Sequence, residues 1–244
     1  YLGARPHSIK VGIFDDVVVD VPDGTWLEDV HVRSELSRDL SRADVEVTVA
    51  WSGGPADLQW MLLDPDGGRA AEGTTRLEDD GVDPSLTLSV EDPALWWPRT
   101  HGVPNLYRLA VALAVEGRTV DRRQVDVGIR RIRPILEDVA SGEPRFAFEV
   151  NNAMIFLRGA CWAPLQGMTH RWDEDRAERL LDLVEHGRMN VLRVWGGGLI
   201  PPASFYEACD RRGILIWQDF MFGYGMYPDH EPEFVANCRA EIED

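Results

Sequence analysis

The fold of this chain is decided by two stretches, Asn190-Val191-Leu192-Arg193-Val194-Trp195-Gly196-Gly197-Gly198 and Ile214-Leu215-Ile216-Trp217-Gln218-Asp219-Phe220-Met221-Phe222. Each is a short apolar run that follows a helical pattern and ends in polar and aromatic residues beside a loop. Such Val- and Ile-rich runs are typical of strands that are buried on both faces. Function in β/α barrels lies at the carboxyl ends of the strands. The pattern therefore predicts one rim that carries Arg193, Trp195, Gln218 and Asp219.

Length and charge bound the class of protein. The chain has 244 residues, enough for two ordinary domains or one large domain, and 44% of them are hydrophobic. Its apolar runs are too short to span a membrane. With 25 Lys and Arg against 42 Asp and Glu, the formal net charge is −17. This balance repels nucleic acid and anionic membrane surfaces and is compatible with a neutral partner such as a sugar.

The number and spacing of the cysteines indicate the cellular compartment of the protein. Cys161, Cys209 and Cys238 are odd in number, widely spaced and set in apolar patterns, which argues against a disulfide framework. We interpret them as buried thiols and expect a cytoplasmic protein. The chain begins Tyr1-Leu2-Gly3, without Met or an apolar leader, and we expect it to be a piece of a longer polypeptide.

The first half of the chain has a period of two. Apolar residues alternate with polar ones in five segments, at Val30 and Val32, Val45 to Val49, Leu58 to Leu62, Leu86 to Val90, and Leu109 to Val115. Turn clusters separate the segments, so the pattern predicts a β-sandwich of the immunoglobulin-like type. We place this domain at 27–133, after a tail or linker at 1–26. A Pro-bearing segment at 134–145 is predicted to be a linker, with the boundary between Arg130 and Phe146.

The second half, from 146 to 244, has a helical period. The pattern predicts strand and helix in alternation: a strand at Ile155 to Cys161, a helix from Asp173, the strand at Val191, a helix from Ser204 to Arg211, the strand at Ile214, and a helix from about Pro232. That order demands parallel strands. It supplies the first three β/α units of a TIM barrel, fewer than the eight that close one.

The candidate site residues each have a structural alternative. Trp195 suits a wall of a sugar pocket because three glycines follow it, although Trp is often a core residue. Arg193 and Asp219 are predicted to pair, either as a purely structural ion pair or as a substrate contact. Trp162 is either an aromatic surface for a sugar or a loop-packing residue.

Other motifs predict no cofactor and no metal. The run Gly196-Gly197-Gly198 lacks the G-x-G-x-x-G spacing of a nucleotide loop. His170, His186 and His230 have no metal-like spacing. Cys161 has no neighbouring His in the sequence and is a poor candidate for a nucleophile.

Beyond these patterns, the chain resembles a known family. The runs from Arg193 to Gly198, Phe205 to Asp210 and Gly213 to Phe222 resemble glycoside hydrolase family 2, in its β-mannosidase branch. The upstream motifs Leu95-Trp96-Trp97-Pro98 and Val127-Gly128-Ile129-Arg130 are similar to the end of that family's immunoglobulin-like domain. Cys161 stands where the family usually carries Asn.

The resemblance implies a retaining exo-glycosidase that cleaves terminal β-linked sugars with two glutamates, on the fourth and seventh barrel strands. It implies that both glutamates lie beyond residue 244, so the chain alone is expected to be inactive, and that its partners are a carbohydrate substrate and missing domains of the same polypeptide. It also implies substrate contacts by Trp195, Arg193, Asp219 and Gln218. The alternative is a non-catalytic carbohydrate-binding or scaffold module.

Overall fold

The computed structural model describes residues 17, 19, 21, 24–78, 84–137, 144–165, 172–223 and 225–243. The first part of the chain forms seven strands: β1 (Trp26–Leu36), β2 (Arg42–Ser52), β3 (Ala56–Leu63), β4 (Arg69–Leu77), β5 (Ser85–Glu91), β6 (Tyr107–Val115) and β7 (Arg118–Val127). They make two antiparallel sheets, ordered β1-β2-β5 and β4-β3-β6-β7. Two of these strands, β4 and β7, have no counterpart in the sequence prediction.

The core of this sandwich lies between the two sheets. Alternate residues of the central strands are fully buried, among them Val45, Val47 and Val49 of β2 and Leu109 and Leu113 of β6. Residues of both sheets belong to one continuous apolar cluster. The period-two pattern therefore predicted the inner faces correctly, and the β-sandwich is confirmed.

A small third sheet follows the sandwich. Strands β8 (Ile132–Glu137), β9 (Pro144–Val150) and β10 (Ala153–Ile155) pair antiparallel in the order β10-β9-β8. The predicted linker at 134–145 is thus strand wherever it is described, and its residues 138–143 lie outside the described part of the chain. Both prolines suit this arrangement, because Pro134 lies on the edge strand β8 and Pro144 is the first residue of β9. The domain boundary between Arg130 and Phe146 stays a prediction.

The last part of the chain alternates strand and helix. Its elements are β11 (Gly159–Trp162), α1 (Glu174–His186), β12 (Val191–Val194), α2 (Ala203–Arg212), β13 (Leu215–Gln218) and α3 (Pro232–Glu243). The three strands are parallel and ordered β11-β12-β13. The predicted first strand was too long, because Ile155 ends β10 and the parallel strand begins only at Gly159. Arg158, between them, is instead held by its backbone to Asn190, which donates to the carbonyl and accepts from the amide.

Local sequence explains where the helices begin and end. Asp173 caps α1, and its side chain accepts a hydrogen bond from the amide of Arg176 at 2.9 Å. Gly213 ends α2 at φ +68°, a left-handed conformation that favours glycine. A Cβ there would also lie 2.7 Å from the backbone nitrogen of Arg99. The same glycine thus lets the sandwich's loop approach the end of α2.

Trp96 joins the sandwich to the parallel sheet. Its side chain is fully buried in a cluster with Val150, Ile155 and Leu215. The indole Nε1 donates to the carbonyl oxygen of Asp210, in α2, at 2.9 Å. Three parts of the chain that are distant in sequence therefore share one small core.

Candidate functional site

The two faces of the parallel sheet have different neighbours. Cys161, Arg193 and Trp217 stand opposite one another in register. The next position, with Trp162 and Val194, contributes to the core that α1 and α2 cover. The side chains of Cys161, Arg193 and Trp217 therefore face a cavity, whereas the side chains on the opposite face belong to the core.

Arg193 and Asp219 form the predicted ion pair at the carboxyl ends of β12 and β13. The Nη2 atom of Arg193 lies 2.8 Å from Oδ2 of Asp219, and its Nε lies 3.1 Å from both carboxylate oxygens. The hydrogen bond from Arg193, supported by the amide of Gly196 at 3.3 Å, lowers the pKa of Asp219 below its usual value. The Asp219 side chain is 19% exposed and the Arg193 side chain 50%. The carboxylate therefore stays ionised and orients a guanidinium that still reaches solvent.

Trp195 follows Arg193 by two residues, so strand alternation directs both side chains to the same side. The ring is half-buried and lies on the backbone of Gly197, where a Cβ would come 2.4 Å from its Cζ2 atom. A Cβ on Gly196 would come 2.7 Å from the carbonyl oxygen of Phe220. Glycine at 197 thus leaves room for the ring, in agreement with the interpretation of the three glycines from the sequence. Gly196 lets the loop after β13 approach the main chain closely.

Trp162 and Gln218 are the last residues of β11 and β13, but their side chains face the helices. Trp162 is 8% exposed and packs on Phe205 of α2, with ring centroids 4.7 Å apart. Gln218 accepts a hydrogen bond from the hydroxyl of Tyr206 at 2.7 Å and donates to the carbonyl of Asp219. The register turns both side chains toward the helices, so the structure favours the packing alternative for Trp162, and the substrate contact by Gln218 stays a prediction.

A cavity of about 720 Å³ lies on the open face of the sheet. Arg193 and Cys161 line it together with aromatic residues that were not among the predicted site residues: Phe146, Phe148, Phe156 and Trp217. The ring of Trp217 lies 5.6 Å from that of Phe146 and 6.2 Å from that of Phe148. Alternation could have identified Trp217, which is two residues before Asp219. The two phenylalanines belong to β9, whose proximity no local pattern indicates.

The cysteines are free thiols in different environments. Cys209 is fully buried, and burial raises its pKa to about 12. Cys161 is exposed in the cavity, which corrects the expectation that all three thiols are buried. The described residues contain no group of three or more His, Cys, Asp or Glu arranged to hold a metal. None of the described helices is long and apolar enough to cross a membrane.

Comparisons with known proteins give the context of this site. Residues 25–130 match the family model described as glycosyl hydrolases family 2. Beta-mannosidase B of Aspergillus fumigatus is 39% identical over 240 residues, and that of Aspergillus terreus is 31% identical over 237 residues; each alignment covers 97% of this chain and 28% of the relative. The crystal structure of a beta-D-mannosidase from Dictyoglomus thermophilum superposes with a TM-score of 0.82 and 31% identity, over 92% of this chain and 28% of that one. The chain thus spans little more than a quarter of the length of the proteins it matches.

Proposed function

Because this chain carries a domain of the family 2 glycosyl hydrolases and resembles β-mannosidases over nearly its whole length, we propose that it is part of a retaining exo-glycosidase. The substrate is a terminal β-linked sugar, and β-mannosides are the first candidate substrates. The parallel sheet β11-β12-β13 with its helices is the beginning of a TIM barrel, and further β/α units complete it. The observation that carries the proposal is the pairing of Arg193 with Asp219 at the strand ends, beside an aromatic cavity.

The cavity has the composition of a sugar site. Pyranose rings present C–H groups that pack on flat aromatic faces, and their hydroxyls need fixed hydrogen-bonding partners. Trp217 lines the cavity and offers such a face, and Arg193 is fixed by Asp219 without losing its exposure. Trp195 is not among the residues that line this cavity; it follows the carboxyl end of β12, two residues after Arg193, and from that position we assign it to a wall of the terminal-sugar pocket, with Arg193 and Asp219 beside it.

The reacting carboxyl groups come from elsewhere in the polypeptide. Retaining glycosidases need two carboxyls about 5 to 5.5 Å apart, one as acid/base and one as nucleophile. Asp219 is committed to Arg193, and its lowered pKa makes it a poor proton donor. Our proposal assigns both reacting roles to glutamates outside this chain, and the chain alone is expected to be inactive.

The test is the hydrolysis of an aryl β-mannoside by the complete enzyme and its Trp195→Ala variant. An indole against a pyranose contributes roughly 1.4 kcal/mol or more of apolar burial, so kcat/KM is expected to fall at least about tenfold. Trp195→Phe keeps a flat ring and should recover most of the loss. Unchanged kcat/KM in Trp195→Ala would remove Trp195 from the pocket. A complete enzyme without β-glycosidase activity would favour the non-catalytic carbohydrate-binding module.

A further inference from the structure

A second cavity, of about 520 Å³, lies at the opposite end of the parallel strands from Arg193 and Asp219. It is formed where β11 and β12 begin and where the sandwich's loop after Trp96 approaches them. Three arginines and a histidine line it: Arg99, Arg158, Arg188 and His101. None of its lining residues is acidic. In a chain with a net charge of −17, this is a local reversal of charge.

The arginines of this basic cavity differ in their partners. Arg99 pairs with Glu185 at 2.6 Å, and Glu185 also neutralises Arg212. Arg158 and Arg188 have no acidic partner among the residues that the structure describes. Their charges are therefore uncompensated within this part of the chain, and both side chains are exposed to the cavity's solvent.

Arg188 occupies a position that local geometry does not favour for arginine. It follows Gly187 at the end of α1 with φ +52°, a left-handed conformation in which non-glycine residues are uncommon. A cation at the carboxyl end of a helix is favoured electrostatically, which accounts for Arg188 alone. It does not account for Arg158 and His101, which reach the same cavity from other elements.

A buried asparagine holds these elements in place. Asn190 is 1% exposed; its Oδ1 accepts from the amide of Arg158 at 2.8 Å, and its Nδ2 donates to Oγ1 of Thr100 at 2.8 Å. The Thr100 hydroxyl in turn lies 2.7 Å from Nδ1 of His101, so a hydrogen bond joins these two side chains as well. The cavity is thus preorganised by one hydrogen-bond network that runs from Arg158 through Asn190 and Thr100 to His101.

We propose that this basic cavity binds the phosphate group of a small phosphorylated molecule. Guanidinium groups bind phosphate oxygens through paired, charge-assisted hydrogen bonds. The volume lies in the range of small-molecule sites, which is more than a single ion requires. Phe156, 78% exposed, adds an apolar wall for the organic part of the ligand. The site shares Phe156 with the first cavity but lies at the opposite end of the strands from Arg193 and Asp219, and it would bridge the sandwich and the parallel sheet.

Calorimetric titration of the intact protein with phenyl phosphate and with inorganic phosphate, at constant ionic strength, tests this inference. Phenyl phosphate should bind, and more tightly than inorganic phosphate because Phe156 contacts its ring. Arg158→Gln and Arg188→Gln should each weaken binding at least about tenfold, since each removes a charge-assisted contact. Arg179→Gln, an exposed position on α1 outside the cavity, is the matched control and should bind as the wild type does.

Several results would overturn the proposal. Absence of binding, or equal binding by the Arg158→Gln variant and the wild type, would remove the site. Equal affinity for the two ligands would show a site for the free ion instead. Because Arg188 has an unusual backbone conformation, thermal melting without ligand must show that Arg188→Gln is folded; if it is not, Arg158→Gln alone decides. The readout is binding and not turnover, so failure here leaves the proposed glycosidase function standing.

Discussion

Replacing Trp96 with Ala should destabilise the protein by about 3–5 kcal/mol, the usual cost of removing a fully buried Trp. The structure supports the upper part of that range. The side chain is 0% exposed, donates to the carbonyl of Asp210, and lies under the guanidinium of Arg130, 4.3 Å from the ring centroid. Urea unfolding monitored by circular dichroism measures the change, and a chain of this size should lose about 6–20 °C in melting temperature.

The Trp96→Phe variant separates the contribution of the aromatic ring's packing from that of the indole hydrogen bond. It keeps an aromatic ring in the cluster but removes the indole's hydrogen bond to the Asp210 carbonyl, which keeps only the amide of Gly213 at 3.3 Å as a donor, and this loss costs about 0.5–1.5 kcal/mol. The half-buried neighbour Trp97 supplies the control, because its replacement leaves the shared cluster intact and should cost less than that of Trp96. If Trp96→Ala costs under 1 kcal/mol, or no more than Trp97→Ala, then Trp96 does not hold the junction together.

Two further predictions concern titration and thiol reactivity. Burial raises the pKa of Asp210, against the opposing effect of Arg130. Its contribution to stability is therefore present below its unfolded pKa, about 3.9, and is lost as pH rises through the raised folded value. As pH rises through that window, the urea midpoint of the Asp210→Asn variant should increase relative to that of the wild type, in unfolding curves measured from pH 3 to pH 7. A difference between the two midpoints that stays constant with pH would contradict the assignment. A thiol reagent at neutral pH should modify exposed Cys161 rapidly and leave Cys209 unmodified until the protein unfolds, because Cys209 is buried with a pKa of about 12. Cys161→Ser should abolish the fast phase, and an unchanged fast phase would show that another thiol is accessible.

Sequence patterns determined the elements whose burial is periodic. The central strands β2, β3 and β6 alternate because one of their faces is core, and the helices have readable caps at Asp173 and Gly213. Strands β4 and β7 were missed because they are polar along most of their length, so no apolar alternation is visible in them. Edge position alone is not the reason, since β1 and β5 are also edge strands and their apolar alternation was visible.

The candidate site also has parts that the sequence predicted and parts that only the tertiary structure decided. Strand ends and alternation predicted that Arg193 meets Asp219, because parallel neighbours end at one rim. The tertiary structure decided which face of the sheet the helices cover, and with it that Trp162 and Gln218 turn toward the helices, since one residue of register exchanges the two faces. It alone brought Phe146 to Trp217, and Arg158 and Arg188 to one cavity. Local sequence carries burial and backbone conformation, whereas contacts between distant segments depend on how whole sheets and loops pack.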